Sequence, residues 1–169
     1  MKERTISRRQ IIKLVGAAGA VGMVGSPQVA FAAEGNDQDR MFIGFNLKGT
    51  GPSSATGAFV MSGRFEDSGT SNVENISLVP IAGSNRSRLS GDQQFVGHGG
   101  STIFTHFNGV AFPNADPHAV GEGRFRIVSG TGAYAGIHGQ GSFLIVVDQV
   151  SNQFIGTETG NTETGNVES

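Results

Sequence analysis

The sequence predicts an all-β fold, a closed antiparallel β-barrel of about eight strands, and three observations carry that prediction. Glycine is in large excess, at 27 of 169 residues, against roughly 7% in average usage. Phenylalanine and β-branched residues recur in short runs that alternate apolar with polar, the period of a half-buried strand. Between the runs stand clusters of Gly, Pro, Asn, Asp and Ser, and beyond residue 32 no stretch has the apolar spacing of an amphipathic helix. About eight twisted strands either close or split into two layers, and closure removes exposed edges. Glycines inside the strands, where tight coiling needs them, favour the barrel over the sandwich.

In chain order, "MFIGFNLKG" (41–49) sets Ile43, Phe45 and Leu47 against Gly44, Asn46 and Lys48. "GPSSATG" reads as a turn into "AFVMSGRFED", where Phe59, Met61 and Phe65 share parity and Gly63 marks a bulge or a close approach. "SGTSN" reads as a turn into "VENISLVPI", with Val73, Asn75, Ser77 and Val79 on one face and Ile76 and Leu78 on the other. "AGSNRSRLSGD" has the polarity of a long loop. "QQFVGHGG", "STIFTHFNGVAF" and "HAVGEGRFRIVSG" follow as strands, the last after the turn "PNADP". "GSFLIVVDQV" and "FIGTETGN" complete the set around the turn "SNQ". The expected layout is a leader over 1–32, a polar lead-in over 33–40, the barrel over 41–160 and a flexible tail over 161–169.

The leader reads as an address. "SRRQIIK" places Arg8 and Arg9 ahead of two apolar residues and a lysine, the pattern of a twin-arginine export signal. "LVGAAGAVGMVG" is a weakly hydrophobic core, shorter than the roughly 20 residues a membrane span needs. "AFA" puts small residues before a cleavage point between Ala32 and Ala33. These features predict a bacterial protein exported to the periplasm or beyond by the twin-arginine machinery, which moves folded cargo, and no permanent membrane span. No cofactor motif accompanies them.

Charge and composition exclude several classes. Five of the twelve basic residues lie in the first thirteen positions, leaving seven basic against thirteen acidic residues beyond residue 32. Such a domain lacks the basic footprint for nucleic acid. Without cysteine there is no disulfide, thiolate metal site or cysteine nucleophile. His98, His106 and His118 show no metal-ligand spacing, so no metal site is assigned. No G-x-S-x-G elbow or P-loop occurs.

The densest signal is "SGTGAYAGIHGQGSF" (129–143). A dinucleotide loop needs a helix after its glycines, and here another β-like run begins within five residues. The turn reading fits better. Gly130 and Gly132 can take positive φ, a short helical turn lets Tyr134 pack on the barrel end, and Gly139 and Gly141 start a strand where backbones crowd. "GRFRIVSGTGAYAGIHGQGSF" resembles the glycine-rich signature of the allene oxide cyclase and dirigent superfamily, in which a strand enters a Gly-rich turn with an aromatic residue and leaves by a G-x-G strand. "GRFEDSGT" (63–70) resembles an earlier strand-turn of its bacterial barrels. The resemblance implies an eight-stranded antiparallel barrel whose interior holds an apolar or aromatic small molecule. It carries over no catalytic residue; the plant cyclases' cysteine has no counterpart here.

Candidate chemistry then sits on strand faces. Phe104, His106 and Asn108 share parity, so if that face lines the barrel His106 and Asn108 can hydrogen-bond a ligand. Glu122 shares a charged face with Arg124 and Arg126, opposite Phe125 and Ile127; this is the solvated outside, unless the lumen is polar, when Glu122 becomes an acid/base group. Phe45, Phe59, Phe104, Phe125 and Phe143 are the expected lumen lining. Three functions follow: binding of a small apolar or aromatic molecule, an isomerase or cyclase acting on an oxygenated unsaturated substrate, or an envelope or partner-binding module without a ligand. The contents of the lumen discriminate among them.

Overall fold

Alternation of side chains with period two is what the barrel is built on, and the computed structural model, which describes residues 39–164, shows it strand by strand. The strands are β1 (Arg40–Gly51), β2 (Ser54–Gly63), β3 (Asp67–Pro80), β4 (Ser87–Gly97), β5 (Thr102–Pro113), β6 (His118–Gly130), β7 (Ile137–Asp148) and β8 (Gln153–Thr164). Each pairs antiparallel with the next, and β8 closes on β1. Among the described residues no helix is long and apolar enough to cross a membrane. The expected export signal, with Arg8, Arg9, Ala32 and Ala33, lies outside the described residues.

Three boundaries differ from expectation. "SGTSN" is strand, because β3 starts at Asp67 and pairs Ser68 to Val73 with β2. Residues 87–92 of the expected polar loop are the start of β4, whose polar side chains alternate outward against Leu89 and Gly91. The barrel ends at 164 rather than 160, because Thr162 is a fully buried inward residue. One face is also inverted. Asn75 adopts φ 56° at a register shift between Glu74 and Ser77, so Ile76 and Leu78 follow Val73 on the inner side. The Asn75 side chain hydrogen-bonds the Asp92 carboxylate at 2.9 Å. Asparagine tolerates that left-handed backbone better than most residues.

The interior explains the joint excess of glycine and phenylalanine. Phe45 is the cross-strand partner of Gly156, Phe107 of Gly91, Phe125 of Gly141 and Phe143 of Gly123. In each pair the ring occupies the space a side chain on the glycine would need: a Cβ would stand 2.6 Å from Phe45 at Gly156, 2.7 Å from Phe125 at Gly141 and 2.8 Å from Phe143 at Gly123. Each ring therefore lies against bare backbone across the ladder, a close cross-strand pair.

The two halves of the lumen are filled differently. Towards the end where β1 starts and β8 finishes, Met41, Ile43, Phe59, Met61, Phe95, Ile103, Phe125, Ile127 and Ile137 pack solid. Phe59 and Phe95 meet edge to face at 5.1 Å. Tyr134, on a 3-10 turn over Gly132–Tyr134, caps this end. It is 3% exposed, stands edge-on to Phe65 and donates a hydrogen bond to Asp67. In the turn itself φ is positive at Gly132 and Gly136 but not at Gly130, where the carbonyl of Tyr134 fills the space of a side chain. Arg64 ties the plugged end across the closure, with its backbone N–H on the Arg40 carbonyl and its guanidinium on the carbonyl of Thr162.

Candidate functional site

The opposite half of the barrel is hollow. Its cavity of about 550 Å³ opens between the β1–β2, β3–β4, β5–β6 and β7–β8 connections. That volume falls within the roughly 300–1,000 Å³ of small-molecule sites. The wall is apolar. Phe45 and Leu47 come from β1, Val73 and Ile76 from β3, Leu89 from β4 and Phe107 and Ala111 from β5, with Phe143, Ile145 and Val147 on β7 and Phe154 on β8. Phe107 and Phe143 stand edge to face at 5.5 Å. Leu78, exposed at the rim, continues this surface outward.

Two polar side chains interrupt the deep wall, Glu158 on β8 and Gln93 on β4. Glu158 faces inward because it shares parity with Phe154, Gly156, Gly160 and Thr162 along β8. It is 1% exposed, and its Oε2 has no hydrogen-bond partner. Loss of solvation disfavours the charged form, so burial pushes its pKa up to about 8. Among the residues lining the cavity it is the one ionisable group. At neutral pH the cavity floor therefore presents an uncharged carboxylic acid, able to donate one hydrogen bond and accept others.

Gln93 lies across the lumen at the same level. Along the ladder through β7, β6 and β5, Glu158 connects to Phe143, Gly123, Gly109 and then Leu89 of β4. The other way round, through Ile43, Met61 and Asp67, the ladder reaches β4 just beyond the Gly69–Gly97 pair. Strands in a barrel tilt, so the ladder climbs one way and descends the other. The level position is midway, at Gln93 and Phe95. Gln93 donates one Nε2–H to the Ser71 hydroxyl at 2.8 Å, which leaves its carbonyl and its second N–H. Thr105, its neighbour on β5, is also buried and has an unpaired hydroxyl.

The expected site residues are distributed unevenly. Phe45 and Phe143 line the cavity. Phe59 and Phe125 point inward but belong to the plugged half. Phe104, 36% exposed, lies on the outer surface with His106 and Asn108, because Ile103, Thr105 and Phe107 take the inner positions of β5. His106 bonds Asp92 through Nδ1 at 2.7 Å, and Asp92 is held below the usual carboxylate range by that bond and by the one from Asn75. Glu122 is on the outer face with exposed Arg124 and Arg126, against inward Phe125 and Ile127. His98 sits in the β4–β5 turn at the plugged end and His118 at the start of β6 near the mouth, so the fold does not gather the histidines. None of His106, Asn108 and Glu122 reaches the cavity.

Glu158, Gln93 and Phe107 were not singled out from sequence. The available signal was parity: Glu158 sits among Phe154, Gly156 and Gly160 on the small, apolar face of its strand. In comparisons with known protein families, curated proteins and solved structures, the chain matches none.

Proposed function

We propose that this protein binds, in the open half of its barrel, a small molecule with an apolar body and one polar group directed at Glu158. The observation that carries the reading is a hollow of about 550 Å³ with an apolar wall and a single buried, unpaired carboxyl on its floor. An apolar wall of phenylalanine and aliphatic residues binds by area, while one polar group fixes orientation. The resemblance of residues 123–143 to the allene oxide cyclase and dirigent superfamily points the same way. With the export signal expected over 1–32, the encounter takes place in the periplasm or outside the cell.

A second reading is isomerisation or cyclisation of an oxygenated unsaturated substrate. It is favoured by the raised pKa of Glu158, which keeps a proton available at neutral pH on an apolar wall. In that role Glu158 protonates the substrate oxygen as a bond to it breaks, and takes a proton back from carbon.

Native mass spectrometry of the purified protein tests the binding reading, together with Ala111→Phe, which places a ring in the hollow. The expected result is an apolar ligand on the wild type that is lost in the variant. Retention of the same ligand by Ala111→Phe refutes lumenal binding. Turnover abolished by Glu158→Gln with ligand binding retained identifies the enzyme.

A further inference from the structure

We infer that the polar group this cavity selects is an ammonium: the ligand is a lipophilic amine, with Glu158 as its counter-ion and the Gln93 carbonyl as a second acceptor. The inference rests on the lumenal binding reading above and specifies the ligand's chemistry.

The floor of the cavity holds two acceptors, the Glu158 carboxyl and the Gln93 carbonyl, and no cationic donor. Once ionised, a carboxylate only accepts hydrogen bonds, and Gln93, with one N–H on Ser71, keeps one N–H beside its accepting carbonyl. An ammonium brings three donors, enough for the Glu158 carboxylate and the Gln93 carbonyl on opposite sides of one level. A neutral hydroxyl brings one donor and a carbonyl none, too few for both acceptors. An anionic ligand finds no counter-charge, since no Lys, Arg or His lines the cavity. Phe45, Phe107, Phe143 and Phe154 supply aromatic surface, which attracts a desolvated cation. The excess of acidic over basic residues beyond residue 32 draws cations towards the domain and repels anions.

Binding has a defined proton balance. The ammonium enters charged, the carboxylic acid of Glu158 loses its proton to solvent, and an ion pair remains. The groups facing Glu158 from the other strands at this level are Ile43 on β1, Phe59 on β2, Ser71 on β3, Gln93 on β4, Thr105 on β5, Phe125 on β6 and Phe143 on β7, none of them ionisable. The nearest acid in the lumen, Asp67, is engaged by Tyr134 at the plugged end. Proton release is therefore assignable to Glu158. With its pKa at about 8, roughly nine-tenths of a proton leaves per amine bound at pH 7. Affinity for the amine rises with pH until Glu158 is ionised, then holds until the amine itself deprotonates near pH 10. A neutral ligand that accepts a hydrogen bond from Glu158 weakens above pH 8 instead.

The experiment is calorimetric titration of the protein with 4-phenylbutylamine and with 4-phenylbutan-1-ol. It is run at pH 6, 7 and 8, and at pH 7 in two buffers of different ionisation heat. The expected result is at least tenfold tighter binding of the amine at pH 7, close to one proton released, and about tenfold gain from pH 6 to 7. Glu158→Gln, checked for an intact melting transition, should bring the amine down to the alcohol's affinity. Ala111→Phe should abolish both. Equal binding of the two compounds without proton release overturns the amine inference and leaves the cavity reading standing. Amine binding that survives Ala111→Phe overturns it too, since the acidic surface is then the binder. Failure of both compounds to bind the wild type refutes the cavity reading itself. Proton release is measured on the wild type, so the test holds if Glu158→Gln fails to fold.

Discussion

Replacing Glu158 by glutamine should make the empty protein more stable at neutral pH, although it removes a fully buried residue of the site. Glu158 is uncharged in the folded state up to about pH 8, whereas in the unfolded chain it ionises near its ordinary value of 4.5. Between those values the folded state holds a proton that the unfolded state has released. Stability contributed by this group is therefore complete below about pH 4.5 and is lost as pH rises towards 8. At about 1.4 kcal/mol per pH unit, the loss is roughly 3 kcal/mol at pH 7 and about 4 kcal/mol at pH 8. Glutamine matches the neutral acid in shape and has no charged form, so Glu158→Gln escapes that loss. Urea unfolding of both proteins from pH 4 to 8 reads the difference directly. The expected curves coincide near pH 4 and diverge in the variant's favour by roughly 3 kcal/mol at pH 7. A difference that stays flat across this range refutes the assignment of Glu158 as a buried, unpaired acid.

Three further outcomes follow from the same geometry. Tyr134→Phe removes the hydrogen bond on Asp67 and should cost about 1–3 kcal/mol in denaturant unfolding at pH 7. Burial alone would raise the pKa of Asp67, but bonds from Tyr134, His98 and Ser68 hold it below its usual value. That contribution is present above about pH 4 and fades on acidification, so the gap between wild type and variant should narrow in the same measurement at pH 2–3. Gly141→Ala sets a methyl group against the Thr159 carbonyl and the Phe125 ring, where the backbone cannot give way. Its expected cost exceeds about 3 kcal/mol, read as a collapsed melting temperature or loss of soluble protein. His106→Ala breaks an exposed pair with Asp92 and should change stability by no more than about 1 kcal/mol. Ligand affinity, followed by calorimetry, should not move, because His106 is on the outer face.

The barrel was legible in the sequence because closure and strand number follow from pattern. Eight alternating runs divided by turn residues leave few other arrangements, and the Tyr134 turn was readable from its glycines. The site was less legible, for a specific reason. In β5 both faces carry apolar residues, Phe104 on one and Ile103 and Phe107 on the other, and a single Phe–His–Asn parity drew attention to the wrong one. At β3 the extra residue at Asn75 turned Ile76 and Leu78 to the inside, which no strict alternation anticipates. Glu158 was hidden by its own chemistry. A lone glutamate among threonines and glycines near a chain end reads as solvated, and only the pairing of β8 with β1 and β7 puts it in the lumen. Which half of the lumen is filled depends on where rings meet glycines across strands, and that is a matter of register.

The plugged half gives the hollow one more property, that of a depth gauge. Phe59 and Phe95 form a stop across the lumen at the level of Glu158. Whatever engages the carboxyl is held at one depth, so added length in a ligand can run only towards the mouth. In a homologous series of increasing chain length, affinity should climb while methylenes still fall within the wall and level off once they pass Leu78 at the rim.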